Sequence, residues 1–229
     1  MKIAVLGTGE VGRALAPALL NLHHAVSVGT RDPEETFHSN ETFRELLNQY
    51  PGIRLASFAE ALRGADIVVN ALYGPACVEI LSQLSAALDS RIIIDISSPF
   101  NGRIEGAILN PVNTDSLGEQ VQRALPNVRV VKTLNTMAAV VMTEPGIVGT
   151  ADHSVFLSGN SADAKETVTE LLYSLGWSDI VDLGPISTSR ASEMLLRMWI
   201  DLYKALGTDL FGFRVVRPAK SDPHTLSVP

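Results

Sequence analysis

The chain has one cysteine, Cys77, in 229 residues. A lone thiol cannot close an internal disulfide, which points to a reducing, cytoplasmic setting and to a fold without covalent staples. Positive charge is scarce: 18 Lys and Arg against 25 Asp and Glu leave a formal net charge of −7. That is the wrong sign for gripping a phosphate backbone, so nucleic acid is excluded as a partner. No apolar run approaches the roughly 20 residues a membrane helix needs, so no membrane partner is expected. The apolar start, Met1-Lys2-Ile3-Ala4-Val5-Leu6, meets a glycine turn too soon for a signal peptide. The five histidines, His23-His24 included, stand at no ligand spacing, and no metal site is expected. Internal repeats and low-complexity tracts are missing as well. A hydrophobic content of 46% with 19% charged residues is that of a globular chain with a sizeable core.

What is present is alternation. Short, nearly continuous apolar runs at 2–7, 25–29, 54–57, 66–72, 91–97 and 128–134 read as strands covered on both faces. Helical patterns separate them. Over 10–22 the apolar Val11, Leu15, Leu19 and Leu22 recur at helical spacing, and Pro17 inside that stretch predicts a kink. Ser57-Phe-Ala-Glu60 and Ser116-Leu-Gly-Glu119 are capping-box patterns that start helices. Six strands alternating with helices predict an α/β fold, a doubly wound parallel sheet with right-handed crossovers. Further on, the pattern predicts strands at 154–158 and 179–183, helices at 162–175 and 190–206, and a last strand in the alternating run Phe211-Gly-Phe213-Arg-Val215. The expected division is 1–140 for the main domain, 141–217 for a smaller C-terminal α/β part, and 218–229 for a flexible polar tail.

Gly7-Thr8-Gly9-Glu10-Val11-Gly12 spells G-x-G-x-x-G between the first strand and the first helix, the setting in which that pattern holds a dinucleotide. Gly7 permits the tight turn, Gly9 lets a pyrophosphate approach the backbone, and Gly12 lets helix and strand pack closely. The pyrophosphate then lies on the free amides of the helix N-terminus. Cofactor choice is decided at the end of the second strand. A site for NAD places an acid there to bond the ribose 2′-hydroxyl; this chain has Val28-Gly29-Thr30-Arg31-Asp32. The Arg31 guanidinium can clasp a 2′-phosphate with two hydrogen bonds, and Thr30 can donate a third. Asp32, just before Pro33, is expected to turn away and cap the next helix. These residues predict NADP(H) on a Rossmann-type fold.

With those residues in view, the chain resembles a known family. MKIAVLGTGEVG, VGTRD, VVNAL followed by Gly74-Pro75, NTDSLGEQ, VRVVKTLNTMAAVVM, GNSADAKETV and LGPISTSRASEM, in that order, are similar to the NADPH-dependent coenzyme F-420 (F420) reductases, and the likeness runs to Arg217. The resemblance implies NADP(H) held by Gly7, Thr8, Gly9, Glu10, Val11 and Gly12 and by Thr30 and Arg31. It implies that Ala71, Leu72, Tyr73 and Pro75 lie along the ribose and nicotinamide, with Asn135, Thr136 and Ala138 beside the nicotinamide. It also implies a second pocket, bordered by Ser97, Asn135, Met137 and Phe211, for a deazaflavin or another flat acceptor such as a flavin or quinone. Thr36 and Asn135 stand where archaeal-type members carry a lysine and a histidine.

Hydride transfer between stacked rings is supplied by the cofactors and by positioning, so no dedicated acid–base residue is expected. The activity implied is that of an NADPH-dependent oxidoreductase; the alternative is a non-catalytic NADP(H) sensor that reports through its dimer. Lys132, in a strand-like run, is expected to be structural, and Cys77 buried and inert. Arg190 and Glu193, three apart, suit an ion pair on one helix face. Met194, Leu195, Leu196, Met198, Trp199, Ile200, Leu202 and Tyr203 make that helix apolar nearly all round. So wide a surface is core or a subunit interface, and with Phe211 and Phe213 it predicts a homodimer.

Overall fold

The computed structural model describes residues 1–102 and 104–218. Its first half runs β1 (Lys2–Leu6), α1 (Glu10–Asn21), β2 (Ala25–Thr30), α2 (Pro33–Ser39), α3 (Glu41–Gln49), β3 (Arg54–Ser57), α4 (Phe58–Ala61), β4 (Ile67–Asn70), α5 (Gly74–Gln83), α6 (Ser85–Leu88) and β5 (Ile92–Asp95). The second half adds α7 (Leu117–Ala124), β6 (Arg129–Thr133), α8 (Ala139–Thr143), β7 (Ser154–Gly159), α9 (Ala162–Ser174), β8 (Asp179–Asp182) and α10 (Ser189–Leu206). All eight strands join one sheet in the order β3-β2-β1-β4-β5-β6-β7-β8. β1 to β6 pair in parallel, β7 runs antiparallel to β6, and β8 is parallel to β7. This is the doubly wound Rossmann-type architecture, and its later strands extend the same sheet.

The pleat sends alternate side chains to opposite faces. Ile3, Val5, Val28, Ile67, Val69 and Ile94 pack with Leu15 and Leu19 of α1 and Val168 and Leu171 of α9. Ala4, Leu6, Val68, Ile93 and Val130 pack on the other face with Cys77 and Leu81 of α5 and Val121 of α7. The central strands are therefore buried on both faces, which is why their apolar runs read as nearly continuous. α1 spans Glu10–Asn21 with Pro17 inside it and Leu15, Ala16 and Leu19 buried around that position. The capping box at Ser57 is complete, with Ser57 Oγ accepting from the Glu60 amide and the Glu60 carboxylate accepting from the Ser57 amide. At α7, Ser116 accepts from the Glu119 amide, but the Glu119 carboxylate is drawn to Arg190.

The last expected strand does not form. Residues 211–215 are irregular and lie against the start of β7, where the Ser154 amide donates to the Phe213 carbonyl (2.6 Å) and the Val215 amide donates to Ser154 Oγ (2.9 Å). β6 pairs with β7 only over residues 157–159 and β8 takes the other edge over 154–157, so the segment meets β7 at Ser154 alone and extends no ladder. Beyond residue 218 the expected tail lies outside the described residues. Among the described residues no helix is long and apolar enough to cross a membrane.

Candidate active site

The turn after β1 lies at the switch point of the sheet, with β2 on one side of β1 and β4 on the other. Gly7 has φ +118°, and a Cβ there would lie 2.5 Å from the Ala71 carbonyl oxygen. A Cβ on Gly12 would lie 2.2 Å from the Gly7 oxygen, whereas nothing lies within 4 Å of one on Gly9. Gly7 and Gly12 are thus demanded by the packing of the chain on itself, and Gly9 leaves its backbone open to a ligand. Gly9 is the N-cap of α1 with no side-chain cap, and the first helical bond is the Arg13 amide to the Gly9 carbonyl. The amides of Gly9, Glu10, Val11 and Gly12 therefore have no acceptor within the helix. Thr8 is held in place by Arg13 Nη1, which donates to its carbonyl (3.4 Å).

The Gly7 amide donates to the Gly29 carbonyl (3.0 Å), which sets the end of β2 beside this turn. Asp32 Oδ1 accepts from the Glu35 amide (2.9 Å) as the N-cap of α2, so its charge is engaged as expected. Arg31 is exposed at the rim, and Thr30 Oγ1 shares a hydrogen bond with Thr36 Oγ1 (2.9 Å). Thr36, standing where a second cation would, instead orients Thr30. Ala71 and Leu72 follow β4 and are half-buried next to the turn.

A cleft of about 400 Å³ adjoins the turn. Glu10 and Val11 line it from the turn, Ile96 and Ser98 from the end of β5, Asn135, Met137 and Ala138 from the end of β6, and Leu196, Trp199 and Tyr203 from α10. Leu134 has φ +61°, a left-handed conformation that is unusual for a branched residue and turns the chain sharply into this loop. Other expected residues lie elsewhere. Thr136 is buried and is not among the lining residues. Tyr73 is exposed at the N-cap of α5, and Pro75 lines a separate groove with Pro99 and Leu117. Ser97 is buried, with its hydroxyl donating to Asp95 Oδ1 (2.7 Å), and its neighbour Ser98 takes the place in the cleft. Phe211 stands behind the wall, stacked on Trp199 with ring centroids 5.5 Å apart. Leu196, Trp199 and Tyr203 were absent from the expected pocket. Their spacing of three and four marks one helical stripe, but on a helix apolar nearly all round nothing local says which stripe faces a cleft.

Beneath the cleft lies a buried ionic cluster. Lys132 Nζ donates to Asp95 Oδ2 (2.9 Å) and the Ser97 carbonyl (2.5 Å) and pairs with Glu193 Oε1 (2.9 Å). Burial alone would lower the Lys132 pKa, but Asp95 and Glu193 outweigh it and raise it. Asp95 also accepts from Asn70 Nδ2 (2.8 Å), and Glu193 accepts from the Leu117 and Gly118 amides (2.8 and 3.0 Å). Lys132 is wholly enclosed, as its structural assignment requires. The expected Arg190–Glu193 pair is not made: Glu193 turns inward to Lys132, and Arg190 grips Glu119 with two bonds (2.7 and 2.6 Å). That grip, with the Ser116 hydroxyl, holds the Glu119 carboxyl below its ordinary pKa. Burial, with Asp95 nearby, pushes the Cys77 thiol up to about 11.

A family described as NADP oxidoreductase, coenzyme F420-dependent, matches residues 2–99. The chain is 27% identical to the F420-dependent NADP reductase of Methanocaldococcus jannaschii, over 92% of this chain and 97% of that protein. It is 24% identical to the metalloreductase STEAP3 of Rattus norvegicus, over 85% of this chain and 36% of that protein. A crystal structure from Arthrobacter sp. FB24, of a candidate F420-dependent NADP reductase, superposes with a TM-score of 0.92 at 50% identity, covering 95% of this chain and all of the other.

Proposed function

Because this chain belongs to the coenzyme F420-dependent NADP oxidoreductase family, we propose that it transfers hydride between NADP(H) and F420 in the cleft beside the glycine turn. The observation that carries this reading is continuity: Glu10 and Val11 belong both to the turn and to the cleft lining. A pyrophosphate on the turn therefore leads its nicotinamide into the cleft, where a second flat ring has room to stack. A sensor has no use for that second space, and the sensor reading is not favoured.

The donor set fits NADP(H). Four free amides and an open Gly9 suit a pyrophosphate, and an exposed Arg31 beside Thr30 suits a 2′-phosphate. When bound, NADPH supplies the hydride and F420 the ring that takes it up, with one proton from water. The chain's own part is to hold and to exclude. Arg31 and Thr30 fix the adenosine end, Ala71 and Leu72 flank the ribose, and Ile96, Met137, Ala138 and Met142 keep water from the ring faces. No side chain moves a proton.

The smaller part, 141–217, completes the cleft through α10, and we assign dimerisation to it as well. Met194 and Met198 are 39% and 54% exposed on that helix, an apolar surface suited to a second copy of the chain. A monomer mass by light scattering overturns the homodimer. A cytoplasmic site of action, supported by the buried, unpaired Cys77, is checked by cell fractionation.

The deciding experiment mixes enzyme and NADPH with oxidised F420, FMN or a quinone and follows bleaching of the deazaflavin's visible band. Rapid bleaching of F420 is expected. Turnover with FMN or quinone alone removes F420 as the substrate, and binding of NADPH without any turnover restores the sensor.

A further inference from the structure

Among the described residues three buried side-chain polar atoms have no hydrogen-bond partner: Asn135 Oδ1, His153 Nδ1 and Trp199 Nε1. Two of the three residues, Asn135 and Trp199, line the same cleft. One atom is an acceptor and the other a donor, and leaving each unmet in a folded interior is unfavourable. Both are locked. Asn135 is 4% exposed, and its Nδ2 donates to the Ser192 carbonyl (3.0 Å), which commits the amide orientation and leaves Oδ1 as the free end. The Trp199 indole is stacked on Tyr203 (5.7 Å, 9°) and on Phe211 (5.5 Å, 27°), so it cannot swing its N–H toward another acceptor. No polar group among the described residues satisfies this pair, and both stand where a ring is expected.

We propose that Trp199 Nε1 and Asn135 Oδ1 read the polar edge of the second ring, Trp199 donating to a ring carbonyl and Asn135 accepting from the adjacent ring N–H. That edge is the uracil-type imide carried by deazaflavins and flavins; a quinone has the carbonyl but not the N–H. The pair is therefore a specificity determinant that selects imide-bearing rings. The inference rests on the hydride-transfer reading and names the groups that recognise its second substrate. The second ring is favoured over the nicotinamide carboxamide by position along the sheet edge. The glycine turn follows β1, Asn135 follows β6 three strands away, and α10 packs beyond it against β7. The nicotinamide, tethered to the turn, lies on the near side.

The test measures dissociation constants by titration, without turnover, for oxidised F420 and for NADP+ on wild type and on Trp199→Phe, which keeps the aromatic stack and removes the N–H. Trp199→Phe is expected to weaken F420 binding about tenfold, the effect of one hydrogen bond, and to leave NADP+ binding within about twofold. A deazaflavin methylated at the imide nitrogen is expected to bind wild type more weakly by a similar factor, a readout that needs no variant. Unchanged F420 binding by Trp199→Phe, with the methylated ring bound as tightly as its parent, overturns the proposal. Loss of NADP+ affinity alone reassigns the pair to the carboxamide and overturns it too. Wild type that fails to bleach F420 removes the hydride-transfer reading itself; wild type that bleaches F420 while both ring-edge changes are silent removes only this pair.

Discussion

On the β1–α1 side of the cleft, the site is made of backbone drawn from one short stretch of chain. Three glycines, four free amides and the end of β2 all fall within residues 7–32; main chain within the turn demands Gly12, and main chain at Ala71, just after β4, demands Gly7. On the α10 side the wall is made of side chains, and it is tied to the sheet by charges far apart in sequence. Lys132 joins Asp95 to Glu193, and Arg190 reaches back to Glu119. A backbone cradle tolerates almost any side chain around it. A wall hung on buried charges depends on every partner being present, because a buried carboxylate without its cation is far costlier than an unmade surface contact.

The largest effect is expected at Lys132. Lys132→Met leaves Asp95 and Glu193 buried without their cation, and should cost about 3–5 kcal/mol of stability. At this chain length that lowers Tm by about 10 °C, read from a thermal melt. An unchanged Tm would mean that α10 is held by packing alone. On the cradle side the matching change is Arg31→Ala, where the opposite pattern is expected. Stability should stay within about 0.5 kcal/mol, as for other exposed positions, while the preference for NADPH over NADH falls about 10- to 100-fold with the loss of a charge-assisted clasp. Unchanged preference in paired kinetic assays would remove Arg31 from the cofactor site.

The smallest effect sharpens the contrast through pH. The folded Glu119 carboxyl lies below its ordinary 4.5, so its ion pair stabilises the fold fully above that value and the contribution is lost as pH falls through the folded pKa. Asp115, held at about 2 by Arg123, adds a similar loss below 3.8. Urea unfolding of Glu119→Gln across pH 6 to 3 should show a shallower acid decline than wild type. Equal slopes would mean that Glu119 carries no pH-dependent tie to α10.

The cradle could be read from residues because its determinants are local. The glycine spacing, the cap at Asp32 and the Thr30-Arg31 pair each act within a few positions of one another, and the structure places them side by side. The α10 wall could not. Arg190 and Glu193 have the spacing of a helix-face pair, yet each is claimed by a stronger partner from another element. Ser97 and Ser98 are adjacent in the loop after β5, and only the folded loop decides that Ser98 meets the cleft while Ser97 turns to Asp95. The run over 211–215 alternates like a strand, but it meets β7 only at Ser154 and forms no ladder.

From the sequence alone came the strands β1 to β6 and their parallel order of alternation, the glycine turn and the expectation of a phosphate-bearing cofactor, since periodicity, capping and glycine geometry act over short separations. Tertiary structure alone decided which stripe of α10 faces the cleft, where Lys132 finds its counterions, and that Asn135 and Trp199 meet there with one free acceptor and one free donor. Those outcomes depend on charges and rings more than 30 residues apart, brought together only when the sheet closes its order across β5, β6 and β7.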